Sequence, residues 1–76
     1  MKVTVYSTPA CPFCKQAKQF LDEHGVEYSD HDVSSEIEKQ HEMYEKSDQM
    51  GVPVIIIDDQ VVIGFDMKKL KELLKI

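Results

Sequence analysis

The chain lacks most of the features that would assign it to a large class. None of its 76 residues falls in an apolar run approaching the roughly 18 that a membrane span requires, so no contact with a membrane is expected. There is no excess of positive charge. A net charge of −5 and a pI near 5.0 make a nucleic-acid phosphate backbone an unfavourable partner. Met1-Lys2-Val3-Thr4 does not lead into an apolar h-region with a small-residue cleavage site, so the expected location is cytoplasmic. Repeats, linkers and low-complexity stretches are missing too, and the expectation is a single domain over residues 1–76, acting as a monomer. The most informative scarcity is cysteine. Only 2 are present, both in Cys11-Pro12-Phe13-Cys14, so there is no framework of disulfides. In a reducing compartment such a C-x-x-C pair is catalytic or metal-binding more often than structural.

The 42% hydrophobic content is that of a folded domain rather than a disordered chain, although a chain of this length buries only about 60% of its unfolded surface. Val3-Thr4-Val5-Tyr6 reads as a short buried strand. Ser7-Thr8-Pro9-Ala10 breaks it, and Pro12 suits the first turn of a helix, where a missing N–H costs nothing. Phe13, Ala17, Phe20, Leu21 and His24 recur at helical spacing, with Gly25 as the stop. Val26–Val33 alternates enough for a second, more exposed strand. Ser35 and Glu38 match a capping box for a helix running to about Met50. Its apolar stripe of Ile37, Met43 and Tyr44 is thin, which predicts the most loosely held element. After Gly51-Val52-Pro53, the run Val54-Ile55-Ile56-Ile57 is apolar on both faces and reads as a central strand. Asp58-Asp59-Gln60 turns the chain into a return strand, Val61-Val62-Ile63. Asp66 is a candidate N-cap for a last helix with the stripe Met67, Leu70, Leu73 and Leu74. The order βαβαββα predicts an α/β fold with a four-stranded mixed sheet flanked by three helices. The first crossover should be parallel and right-handed, the closing hairpin antiparallel, and the helices distributed over both faces.

A disulfide between Cys11 and Cys14 closes too short a loop to remove much unfolded-chain entropy, so as a staple it is nearly useless. As a redox pair it is well placed. The thiolate is the nucleophile of disulfide exchange, and a Cys11 at a helix N-terminus has backbone N–H groups and the helix dipole to favour its anion. Lys15 and Lys18 add positive potential one and two turns on. Cys11 is therefore expected to attack a substrate disulfide, and Cys14, buried and with a higher pKa, to resolve the mixed disulfide. The competing class is a non-catalytic module using the cysteines as metal or iron–sulfur ligands. A structural zinc site needs four ligands, and His24, His31 and His41 lack H-x₃₋₅-H spacing, so no metal is expected.

The element order, with C-x-x-C at the first strand–helix junction, resembles the thioredoxin fold. The details are similar to the glutaredoxin family, whose usual signature is C-P-Y-C, then T-V-P, then Gly-Gly-x-Asp. Here the matching stretches are Cys11-Pro12-Phe13-Cys14, Gly51-Val52-Pro53 and Gly64-Phe65-Asp66. The resemblance implies a thiol–disulfide oxidoreductase that holds no cofactor. It also implies a cis Val52–Pro53 bond facing the cysteines, which is specific because only about 5–6% of X-Pro bonds in folded proteins are cis. Pro12 would preset the helix and tune the redox potential. Phe13 would be an exposed substrate contact rather than the first residue of the core stripe. The Val52 backbone would offer strand-like pairing to an extended substrate. Gly64 and Phe65 would border the site, Phe65 as an apolar wall or as plain core, and Asp66 would cap a helix and secondarily meet a ligand amine. Three positions depart from the pattern. Thr8 stands where a glutathione-binding lysine is common, Gly51 replaces threonine, and Phe65 replaces the second glycine. The Gly-Phe pair looks more like the small glutaredoxin-like hydrogen donors of ribonucleotide reductase, which are reduced by thioredoxin reductase. The expected partners are thus disulfide-containing proteins, ribonucleotide reductase among them, with either thioredoxin reductase or glutathione as reductant.

Overall fold

A computed structural model describes residues 2–49 and 51–76. The elements are β1 (Val3–Ser7), α1 (Pro12–Glu23), β2 (Ser29–Asp32), α2 (Ile37–Ser47), β3 (Val54–Ile57), β4 (Gln60–Ile63) and α3 (Met67–Leu74), in the expected order. The strands form one mixed sheet, β2-β1-β3-β4. β1 runs parallel to β2 and antiparallel to β3, and β3 pairs antiparallel with β4. This is the thioredoxin fold.

The central strands β1 and β3 are buried at every position, as strands covered on both faces must be. The period of two then divides their side chains. Val3, Val5, Ile55 and Ile57 join Ala17, Phe20, Leu21, Leu70 and Leu74 beneath α1 and α3. Tyr6, Val54 and Ile56 join Met43 beneath α2. Each fully buried aliphatic side chain contributes about 1.5–3 kcal/mol, so the first group holds α1 firmly against the sheet. Gly25 ends α1 with φ +66° and open space where a Cβ would stand. The conformation, not the room, asks for glycine there.

Several expectations need correction. The second strand covers only Ser29–Asp32, because Val26 and Tyr28 turn inward as partly buried cover for the α1 side of the core. The capping box does not form. Glu36 is the N-cap of α2 and makes no side-chain cap bond. Asp32 has taken the preceding turn instead, its carbonyl accepting the Ser35 and Glu36 N–H groups at 3.3 and 3.0 Å. The stripe of α2 reduces to Met43, since Ile37 is 69% exposed and Tyr44 also faces solvent. The expected helix end at Met50 lies outside the described residues. Gln60 belongs to β4, paired with Ile57, which shortens the turn to Asp58-Asp59. In α3 only Leu70 and Leu74 are buried. Met67, in the first turn, is exposed, and Leu73 is partly buried against the core.

Candidate active site

The site starts from the loop that carries β1 into α1. A turn closes there with the Cys11 N–H donating to the Thr8 carbonyl at 3.3 Å. Cys11 keeps an extended backbone and serves as N-cap of α1, its Sγ accepting the Cys14 N–H at 3.2 Å. Its carbonyl accepts the Lys15 N–H at 3.3 Å, and Pro12 occupies the first turn. The sulfur therefore stands against the free amides of the helix N-terminus, where partial positive charge gathers. The first turn of α1 carries no acidic side chain to oppose it.

The two thiols, both free, have unlike surroundings. Cys11 is half-buried and Cys14 fully buried. Burial, and next the Cys11 thiol hydrogen-bonded beside it, push the Cys14 thiol up to about 11, while a Thr8 backbone hydrogen bond and the Lys18 charge pull against them.

Two other loops close on this corner. The Val52–Pro53 bond is cis, as the resemblance implied, and the Cys11 thiol donates to the Val52 carbonyl at 3.9 Å. Pro53 is buried, and its carbonyl accepts the Gly64 N–H at 2.8 Å. Gly64 turns with φ +76°, a backbone state glycine adopts freely. Three stretches far apart in sequence thus meet in a chain of contacts from Cys11 to Val52-Pro53 to Gly64.

The flanking residues divide. Phe13 is 59% exposed beside the cysteines and is not part of the core stripe. Phe65 packs on the core and also reaches a pocket. Its ring meets the Phe20 ring edge-on at 5.9 Å, partly buried against the α1 side of the core, and it lines a shallow pocket along α1 with Gln16, Gln19, Glu23 and Met67. Asp66 caps α3, its Oδ1 accepting the Lys69 N–H at 3.1 Å.

Lys18 was expected as a charge for Cys11; with Ser7 and Asp30, which the sequence did not mark for this role, it forms a group on the Cys14 side. Lys18 Nζ lies 3.0 Å from Asp30 Oδ2 and donates to Ser7 Oγ at 3.5 Å. The buried Ser7 hydroxyl donates in turn to Asp30 Oδ1 at 2.8 Å. Burial works to lower the Lys18 pKa, but the hydrogen bond and charge of Asp30 outweigh it and leave the ammonium raised. The four-residue spacing of Cys14 and Lys18, which puts both on one helix face, was the available signal. Asp30 depends on strand pairing and left none.

Among the described residues no three or more His, Cys, Asp or Glu side chains gather as a metal site. The His24 ring tilts against the Phe20 ring, centroids 4.3 Å apart, whereas His31 lies 5.7 Å from Tyr6, on the α2 side. No helix among the described residues is long and apolar enough to cross a membrane.

Comparison with known proteins agrees with this geometry. The Glutaredoxin family model matches residues 3–62. An uncharacterized glutaredoxin-like protein in the rubredoxin operon of Clostridium pasteurianum is 36% identical over 73 residues, covering 96% of this chain and 97% of that protein. Glutaredoxin 3 of Escherichia coli K12 is 34% identical over 64 residues, or 84% of this chain and 77% of that protein. A crystal structure of a mutant of the thioredoxin-like protein BC3987 superposes with a TM-score of 0.94 at 36% identity, over 99% of this chain and 96% of that one. With a match reaching from β1 into β4, and the C-x-x-C pair, the cis proline and Gly64 joined in space, the chain belongs to the glutaredoxin family of small thiol–disulfide redox proteins.

Proposed function

We infer that the chain is a dithiol electron carrier that reduces disulfides in other proteins. The observation that carries this reading is the inequality of the two thiols. Cys11 is accessible at a helix N-terminus, and Cys14 lies behind it, buried and protonated. Cys11 attacks one sulfur of the partner disulfide, the other sulfur leaves as a thiolate and takes up a proton, and a mixed disulfide forms. Cys14 then loses its proton and attacks Cys11 Sγ. The bond to the partner breaks, the Cys11–Cys14 disulfide forms, and two electrons have passed to the partner. The Val52 backbone beside Cys11 suits an extended substrate segment, and exposed Phe13 supplies an apolar contact. Pro12 holds the geometry of the pair, and Pro53, Gly64, Phe65 and Asp66 shape the rim.

For the reductant we favour thioredoxin reductase over glutathione. Thr8 offers no cation for a glutathione carboxylate, and Phe65 stands where glutathione users carry a second glycine. The relative described as thioredoxin-like is 36% identical, though glutaredoxin 3 is 34% identical. Ribonucleotide reductase is one candidate substrate, and the reducing cytoplasm is the compartment in which such a carrier works.

The test supplies the oxidised protein with NADPH and either thioredoxin reductase or glutathione with its own reductase. NADPH consumption is expected with the first system. It should couple to insulin disulfide reduction and disappear in Cys11→Ser. Turnover only with glutathione reverses the choice of reductant. Failure in both, or stoichiometric metal by elemental analysis, overturns the reading in favour of a ligand-binding module.

A further inference from the structure

We propose that Lys18, held by Asp30 and Ser7, is a positioning residue for the second step, its ammonium stabilising the Cys14 thiolate that resolves the mixed disulfide. This rests on the dithiol reading above. The spacing of four residues puts Lys18 on the same face of α1 as Cys14. Lys15, one residue after Cys14, is exposed, whereas only 26% of the Lys18 side chain is open to solvent. Lys18 is therefore the α1 cation that leans on the sheet. Its position is held from two strands. Ser7, buried at the end of β1, and Asp30, in β2, bind each other at 2.8 Å and take Lys18 Nζ at 3.5 and 3.0 Å. The parallel register of β1 and β2, which sets Val5 against Asp30 and Ser7 against Asp32, is what makes this possible.

The need for such a charge comes from burial. Cys14 has little water to solvate an anion, and its thiol sits at about 11, so at neutral pH the resolving thiolate is scarce. The groups that act on Cys14 are Cys11, the Thr8 backbone and Lys18. Those that act on Lys18 are Asp30, Tyr28 and Cys14 itself, and Asp22 acts on Tyr28. Once Cys11 is tied up in the mixed disulfide, its thiol no longer opposes ionisation of Cys14. Burial then remains as the opposing influence, and Lys18 as the side-chain cation favouring the anion. In the step itself the Cys14 proton passes to solvent and the departing partner thiolate takes one up. The Cys14–Cys11 bond forms as the Cys11–partner bond breaks. Lys18 keeps its proton throughout, and its pairing with Asp30 maintains that charge across neutral pH. A half-exposed ion pair contributes little to stability, so a purely structural role for Lys18 predicts almost no effect on the chemistry.

The experiment is stopped-flow reaction of the reduced protein with 5,5′-dithiobis(2-nitrobenzoate). Attack by Cys11 releases a first equivalent of thionitrobenzoate, and resolution by Cys14 releases the second. Lys18→Met should change the first phase little and slow the second at pH 7 by roughly three- to tenfold, as expected for losing one charge whose attraction is screened by the solvent that reaches Lys18. Its pH profile should move to higher pH, and Lys18→Arg should restore it. Lys18→Gln serves if the Met variant folds poorly. An unmoved second-phase profile, a first phase slowed equally, or failure of Arg to restore the rate overturns the proposal. A wild-type protein that releases no second equivalent, or a Cys11→Ser variant that still gives the first phase, overturns the dithiol reading itself, which separates the two failures.

Discussion

Among the described residues, the sheet face beneath α1 and α3 buries ten side chains in one cluster, all hydrophobic. The face beneath α2 buries five, and its largest member, Tyr6, carries a hydroxyl. That hydroxyl donates to Glu42 Oε1 at 2.6 Å, and Glu42 also takes Lys39 and Lys46 at 3.3 and 3.5 Å. One face is held by area removed from water, which is insensitive to pH. The other leans on a hydrogen-bonded charge. The Tyr6 hydroxyl first, and the two ammonium groups after it, hold the Glu42 carboxyl down at about 2. Burial first, and Glu42 next, push the Tyr6 phenol above its usual range. The difference teaches where the chemistry belongs. The helix that presents Cys11 is fastened by the apolar face, while α2, away from the cysteines, accepts a weaker and titratable attachment.

The comparison is broken most severely on the apolar side. Leu21→Ala, at a fully buried position of α1, should cost about 2–5 kcal/mol in urea unfolding, a large part of the stability of so small a domain. Tyr6→Phe should cost on the order of 1 kcal/mol at pH 7, since the lost bond has a charged acceptor but Glu42 is partly open to water. If Tyr6→Phe cost as much as Leu21→Ala, the two faces would be energetic equals and the contrast would be wrong.

The same variant sharpens the contrast through pH. Folded Glu42 titrates near 2 rather than at its ordinary 4.5, so between those values the folded protein binds fewer protons than the unfolded one. The stabilisation is complete above about 4.5 and is lost as pH falls through about 2. Tyr6→Phe should flatten this acid limb in denaturation midpoints measured across that range, and Leu21→Ala should leave its shape intact. The smallest effect is expected for Ile37→Gln. Among the described residues Ile37 is the most exposed large hydrophobic one, and the change should stay within about 0.5 kcal/mol. A larger loss would mean that α2 is anchored at its first turn after all.

Legibility followed the same division. The elements with strong apolar periodicity, α1, β3 and α3, were readable almost to their ends, because burial selects those residues directly. β2 and α2 were read too generously. The polar run Ser29–Asp32 is a strand only because β1 supplies its hydrogen bonds. The apparent capping box at Ser35 failed because Asp32, one turn earlier, captured the backbone N–H groups of Ser35 and Glu36. Phe65 was balanced between wall and core, and its edge-on contact with the Phe20 ring came only with the fold.

At the candidate site, local sequence determined that two cysteines one helical turn apart follow a strand and open a helix. This alone makes one thiol a cap and the other an interior residue, since a helix N-terminus leaves its first amides free. It could not determine which groups stand around them. The Val52 carbonyl beside Cys11, the Gly64 N–H on Pro53, and the Lys18–Asp30–Ser7 group beside Cys14 are contacts between residues 11 to 41 positions apart. They depend on strand register and on where two loops end. No spacing along the chain encodes them, because they arise only once the four strands have paired.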